Sequence, residues 1–239
     1  MSLLQATSVS PPETSEDDPR IGNLLDTQLS DEEPPKAVLI GFPSDKGVEI
    51  NGGRTGAAEA PKAIRQKLYS MTPSGEYYEP FMDFITSCRD VGNIAVENKV
   101  ESDQQKLGSI VAGYLEQNVV PVILGGGHET AFGHFLGYAE AGLQTSIFNL
   151  DAHTDVRPLK DGQPHSGSPF RQALEHESGC TETYLAAGLQ PHSVSHNHLE
   201  YITERGGHYK FRDETNITSI SGLFHQHESD HLMATFDMD

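Results

Sequence analysis

The sequence is short of cysteine, of cationic residues and of long apolar runs, and each shortage removes a class of function. Cys88 and Cys180 are the only cysteines, far apart and outside any CxxC spacing. That excludes a disulfide framework and a zinc-thiolate site, and it fits a reducing, cytoplasmic compartment. No window approaches the ~20 uninterrupted apolar residues of a membrane-spanning helix, so no membrane partner is expected. The opening MSLLQATSVSPPETSEDD has neither a basic start nor a sustained apolar core, so it does not read as a secretory signal. Lysine and arginine total 16 against 35 acids, a net charge of -19. Nucleic acid is thereby excluded as a partner, because its phosphates would be repelled over most of the surface.

What is present is enough for one α/β domain with a hydrophobic core: 239 residues, 36% of them hydrophobic. Residues 11–35 hold eight acids (Glu13, Glu16, Asp17, Asp18, Asp26, Asp31, Glu32, Glu33) against one base, Arg20, and end in EEPP. With few aromatics, residues 1–35 have the composition of a disordered or loosely attached arm. The acidity outside the arm fits either a surface adapted to high salt or ordinary acidity. From Lys36 onward, apolar strands alternate with amphipathic helical patterns, which predicts a mostly parallel sheet flanked by helices, a three-layer α/β/α domain over 36–239. Strands are predicted at 37–42, 119–124, 145–150, 183–189 and 232–236, and helices at 57–71, 103–118, 129–142, 168–178 and 192–204.

Three of these strands run straight into polar clusters: GGGHE at 125–129, DAHTD at 151–155 and DMD at 237–239. Ligands of open α/β sheets collect beyond the carboxyl ends of the strands, so three segments can deliver side chains to one crevice. Strand alternation would put Asp151, His153 and Asp155 on one side, and likewise Asp237 and Asp239. His128, leaving its strand through a glycine run, supplies a sixth ligand. Four crowded carboxylates would repel one another unless two divalent cations neutralised them. Oxygen ligands with two imidazoles and no thiolate favour manganese. Two such ions about 3.5 Å apart would activate a shared water, which predicts a hydrolase. A dinucleotide site is disfavoured, because Thr130 stands at the third fingerprint position after Gly125 and Gly127 and His128 would intrude on phosphate. The histidine-rich runs HSVSHNH (192–198) and HQHESDH (225–231) read as exposed helix or loop residues.

In their order, GGGHE, NLDAHTDVRP and TFDMD resemble the three metal motifs of the ureohydrolases, the arginase-like hydrolases, from about residue 37 to the last residue. The resemblance implies one manganese held by His128, Asp151, Asp155 and Asp237 and another by Asp151, His153, Asp237 and Asp239, with Asp151 and Asp237 bridging. Within that family GGGHETAFGHFLG, HSGSPFRQ (165–172) and NGGRTGAAEAPKAIR (51–65) look most like formimidoylglutamases. This implies cleavage of N-formimidoyl-L-glutamate to L-glutamate and formamide, with His165 at the position of the proton-transferring histidine. The charge of that substrate adds an independent argument: its two carboxylates call for bases, Arg157 and Arg54 lie in loops at strand ends, and Asn51 could add a neutral hydrogen bond from the loop of Arg54. The alternatives are an agmatinase or guanidino-acid hydrolase sharing every metal ligand, or a non-catalytic metal-binding homologue. Family members usually assemble, so a homo-oligomer is expected of the full-length protein. They also continue past the third motif with further strand and helix elements. By that resemblance the domain is incomplete after Asp239, and these 239 residues alone are expected to be poorly soluble or oligomeric, to bind metal weakly and to show little activity.

Overall fold

The computed structural model describes residues 3–26, 33–73, 75–226 and 229–237. The elements are, in order, β1 (Leu4–Gln5), α1 (Ile21–Leu24), β2 (Ala37–Gly41), α2 (Lys46–Asn51), α3 (Ala60–Ser70), α4 (Tyr78–Ile85), β3 (Cys88–Ile94), α5 (Val100–Leu115) and β4 (Val120–Leu124). They continue with α6 (Thr130–Glu140), β5 (Thr145–Leu150), α7 (Pro169–Leu174), β6 (Thr181–Leu189), α8 (His196–Glu204), β7 (His208–Phe211), α9 (Ile217–Gln226) and β8 (Leu232–Phe236). The strands form two ladders, β1-β3-β2-β4 and β7-β6-β5-β8, parallel in every pairing except β1 with β3. Helices flank the strands, so the chain is an α/β protein built on parallel sheets.

Alternation along β5 shows how the layers arise. Ile147 points into a core with Phe135 of α6, Phe170 of α7 and Ile202 of α8, whereas its neighbour Phe148 packs with Leu223 of α9 on the other face. In the first ladder Val38, Ile40 and Phe42 meet Leu107 and Val111 of α5. Helices α5 and α6 approach closely, because a side chain at Gly108 would strike Leu136 and one at Gly137 would strike Val111. This packing fixes α6, and with it the GGGHE turn at its start, over the ends of β2 and β5.

The segment read from the sequence as a loosely attached arm is docked over its described part. Leu4 pairs with Ile94 at the edge of the first ladder, and Ile21 is buried with Ala37, Ile85 and Cys88. Its scattered apolar residues find non-local partners despite the acidic, proline-rich composition around them. Strand β3 carries polar residues that hide it in the sequence. Arg65 of α3, fully buried, reaches across to it and binds Asp90 through Nε at 2.6 Å and Nη2 at 2.9 Å, Asn93 at 2.7 Å and the Gly92 carbonyl at 2.8 Å. Among the described residues no helix is long and apolar enough to cross a membrane.

Candidate metal centre and adjoining cavity

The site forms where β4, β5 and β8 end. A turn after β4 needs glycine, since a Cβ at Gly126 would overlap the carbonyl oxygens of Phe42 and Ser44. Gly127 donates to the Ser44 carbonyl at 2.8 Å, and the chain enters α6 with His128 aimed over the sheet. Beyond β5, the backbone N–H of Asp151 still pairs with Ala187 of β6, and Asp237 N–H pairs with the Leu150 carbonyl at 3.0 Å. The strand ladder thus places the Asp151 and Asp237 carboxylates side by side.

After Asp151 the chain turns, so simple strand alternation, expected from DAHTD, does not operate. The His153 N–H is captured by Asp151 Oδ1 at 2.8 Å, and Asp155 takes a left-handed conformation with φ of 43°. The turn nevertheless returns Asp155 to the cluster. His128 Nδ1 lies 3.3 Å from Asp151 Oδ2, 2.9 Å from Asp155 Oδ2 and 3.1 Å from Asp237 Oδ2. The four ligand atoms all fall within 4.8 Å of one another. His153 Nδ1 stands 3.3 Å from the other oxygen of the same carboxylate, Asp151 Oδ1. Asp151 therefore turns one oxygen toward each of two neighbouring groups. Asp239 lies outside the described residues.

The electrostatics of the cluster fit a divalent cation. Burial opposes charge on His128, yet Asp151, Asp155 and Asp237 outweigh it and raise the imidazole well above its ordinary value. Burial raises the Asp155 carboxyl, with Asp151 and Asp237 adding to the rise and His128 opposing it. Although three carboxylates crowd His128 Nδ1, none meets it along a hydrogen-bonding direction, and Nε2 also lacks a hydrogen-bond partner. Buried acceptors converging on an unsatisfied imidazole nitrogen are the donor set of an oxygen- and nitrogen-ligated metal.

A cavity of about 280 Å³ opens beside the cluster, lined in part by His153, Asp155, Arg157, His192 and His198. Arg157 donates to Asn51 Oδ1 at 3.2 Å, and Asn51 donates to Ser166 Oγ at 3.0 Å. Ser166 N–H in turn bonds to the Gly47 carbonyl, while the Gly47 N–H bonds to Glu129 Oε1 at 2.8 Å. Glu129 sits in a pocket that side chains at Gly47 or Gly127 would fill, and burial raises its carboxyl to about 7. Arg54 is exposed and is not among the residues lining the cavity. His165 is buried, with Nε2 3.0 Å from the Pro158 carbonyl and Nδ1 accepting from Gly167 N–H at 3.1 Å. Both ring nitrogens are thus engaged by the loop that leads from Arg157 to α7.

Two histidines of the run 192–198, read from the sequence as exposed helix or loop residues, line the cavity: His192 is indeed exposed, on the loop after β6, whereas His198, on α8, is half-buried. His198 is half-buried and approaches Thr154 Oγ1 at 3.4 Å, and His192 lines the cavity rim. Burial lowers the His198 pKa, Arg157 and Arg171 lower it further, and Asp155 opposes them. The signal for them lies in topology: the loop carrying His192 and the start of α8 carrying His198 follow β6, the parallel neighbour of β5, so they emerge at the same sheet edge.

The arginase family model matches residues 35–239. The formimidoylglutamase of Rhodococcus opacus (strain B4) is 43% identical over 197 residues, covering 78% of this chain and 57% of that protein. That of Rhodococcus jostii (strain RHA1) is 46% identical over 172 residues, covering 68% of this chain and 50% of its own length. The chain thus spans little more than half the length of these relatives. Among solved structures, a variant of Trypanosoma cruzi formiminoglutamase with Mn2+ superposes with a TM-score of 0.83 at 30% identity, over 93% of this chain and 76% of that one. Formimidoylglutamase from Bacillus subtilis gives 0.79 at 25% identity, over 99% and 74% of the two chains. The match over residues 35–239, on a parallel α/β fold with a His-Asp cluster at the strand ends, establishes that this chain belongs to the arginase family.

Proposed function

We propose that the protein is a binuclear manganese hydrolase that cleaves N-formimidoyl-L-glutamate with water to L-glutamate and formamide. The observation that carries this reading is the cluster of His128, Asp151, Asp155 and Asp237 beside a cavity whose lining includes both Asp155 and Arg157. Relatives and solved structures named formimidoylglutamase, some holding Mn2+, support it. His128, Asp151, Asp155 and Asp237 would hold one ion, and Asp151, His153, Asp237 and Asp239 the other. When bound, such a pair lowers the pKa of water and so supplies a nucleophile at neutral pH.

The chain's own residues do the rest. Arg157, held in place by Asn51, offers a fixed guanidinium fork to a substrate carboxylate, and Arg54 adds charge to the approach from the glycine-rich loop. The bond that breaks joins the formimidoyl carbon to the glutamate nitrogen, which leaves with an added proton. His165 accepts from Gly167 N–H at Nδ1 and presents its Nε2 proton to the Pro158 carbonyl; being neutral in this arrangement, it would pass a proton to the departing nitrogen only by taking one from the attacking water as it gives one up. An arginine in the cavity favours a dicarboxylate over agmatine, whose own charges are positive.

Incubation of the manganese-loaded protein, continued past Asp239 to the length of its relatives, with formimidoylglutamate, agmatine and arginine in parallel tests the proposal. Formamide and glutamate from the first substrate are expected. Urea from either guanidino compound, with formimidoylglutamate untouched, would assign the site to another branch of the family. No turnover of any of the three, despite full metal loading, would make it a non-catalytic binder.

A further inference from the structure

Behind the metal cluster lies a buried hydrogen-bond relay that the proposed chemistry does not use. Asn149, fully buried near the end of β5, donates from Nδ2 to Asp151 Oδ2 at 3.1 Å and to Tyr184 Oη at 3.2 Å. Its Oδ1 accepts from Thr235 Oγ1 of β8 at 2.7 Å. Tyr184 of β6, also fully buried, donates its hydroxyl proton onward to the Thr154 carbonyl at 2.9 Å. Every direction in this chain is fixed. The Thr154 carbonyl and the Asp151 carboxylate can only accept, so the amide nitrogen faces Asp151 and Tyr184 and spends both hydrogens there, leaving the amide oxygen to accept from the Thr235 hydroxyl, for which the Phe148 carbonyl at 3.4 Å is the more distant acceptor. The phenol, having accepted one, has its own hydrogen left for Thr154.

Thr154 immediately precedes Asp155, one of the non-glycine residues with positive φ, here 43°. Such a conformation costs on the order of 1–3 kcal/mol and persists only where the surroundings over-determine it. Tyr184 grips the carbonyl just before the strained residue, and the Phe170 N–H grips the Asp155 carbonyl just after it at 3.2 Å. Phe170 stacks on Tyr184 with ring centroids 4.7 Å apart and meets His128 edge to face at 5.3 Å. The relay also ties β5 to β8 at the paired residues Asn149 and Thr235, two residues before Asp151 and Asp237 respectively.

We propose that Asn149, Tyr184 and Thr235 are positioning residues for the metal centre: the relay holds Asp155 in its left-handed conformation and sets Asp151 against Asp237, so that three carboxylates converge on one ion. The inference rests on the metal reading above. Its test is the dissociation constant for Mn2+, measured by competition with a fluorescent chelator on the folded protein, with the thermal midpoint of the metal-free protein recorded alongside. Tyr184→Phe keeps the ring and its stacking but removes the hydroxyl, and Thr235→Val removes the hydroxyl at nearly constant volume. Both should weaken binding of at least one ion by about 10- to 100-fold, the range for outer partners of metal ligands. Thr235→Ser, which restores the hydroxyl, should return the parent affinity.

A role confined to stability would lower the metal-free midpoint and leave the affinity of the folded protein alone. Affinities within about twofold of the parent for both hydroxyl deletions would therefore overturn the inference, being far below the 10-fold floor. Should Tyr184→Phe fail to fold, the Thr235→Val and Thr235→Ser pair decides by the same criterion. A parent protein that binds no divalent ion would overturn the metal reading and this inference with it.

Discussion

His134 makes a pH dependence of stability that is separable from everything at the metal centre. It sits on the inner side of α6, buried, with Nε2 lacking a hydrogen-bond partner and the Tyr138 ring 5.6 Å away. Burial alone lowers its pKa from 6.5 to about 4. The sign follows from which state takes up the proton first. Between pH 6.5 and 4 the unfolded chain binds a proton at this position and the folded chain does not, so stability falls as pH falls through that window. Each pH unit inside the window is worth about 1.4 kcal/mol, and lowering the pH from about 6.5 to about 5 should remove about 2 kcal/mol. His134→Leu deletes the titrating group and keeps an apolar side chain of similar bulk. Urea unfolding of parent and variant at several pH values from about 5 to about 8 measures the effect as a difference between two proteins, which cancels the titration of the many surface carboxylates. The variant should gain on the parent steadily as the pH drops below the ordinary histidine value. A constant difference across the range would refute the reasoning, and would mean that His134 finds a proton acceptor or water when folded.

Four other substitutions probe the fold and the cavity. Arg65→Met should destabilise the protein by about 3–5 kcal/mol in chemical denaturation, because it leaves the Asp90 carboxylate buried without its cation; a change below about 1 kcal/mol would show that water reaches the pair. Arg157→Met should raise the KM for formimidoylglutamate about 10- to 100-fold with little change in kcat, as expected for a lost charged hydrogen bond. Arg54→Met should do less, since Arg54 lies outside the cavity lining; equal KM values for parent and Arg157→Met would remove Arg157 from the substrate site. His165→Asn should retain both metals and lower turnover by about 10²-fold at saturating substrate, and unchanged turnover would leave His165 only its hydrogen bonds to Pro158 and Gly167.

The parts of the fold legible in the sequence are those where the chain announces itself locally. The strands at 145–150 and 232–236 keep their predicted bounds, and 119–124 differs by one residue at its start, because each is a short apolar or β-branched run followed by polar ligands. Strand β3 is invisible in the sequence for a physical reason: its Arg89, Asp90 and Asn93 look like a loop, and it takes the buried guanidinium of Arg65, with the Tyr69 hydroxyl and the Gly92 N–H, to satisfy Asp90 and Asn93 within a sheet. The short helix α4 is hidden in the same way by its glutamate and proline. At the site, residue types and order mark the ligand candidates, but not how they converge. Period-two alternation cannot foresee a left-handed Asp155, which depends on Tyr184 from a different strand. Asn149 and Tyr184 read as ordinary strand positions, and His198 reaches the cavity only because the loop after β6 folds back, with Gln190 N–H bonded to the Ala152 carbonyl.

The central claim is that Asp151 and Asp237 each serve two metal ions, and elemental analysis tests it most directly. Protein continued past Asp239 to the length of its relatives, equilibrated with Mn2+ and freed of excess, should carry two manganese ions per chain, and Asp151→Ala or Asp237→Ala should each lose both, because removing a shared carboxylate strips a ligand from each ion and leaves the remaining pair of charges unbridged. A parent with one ion, or a variant that keeps one at full occupancy, would contradict the account.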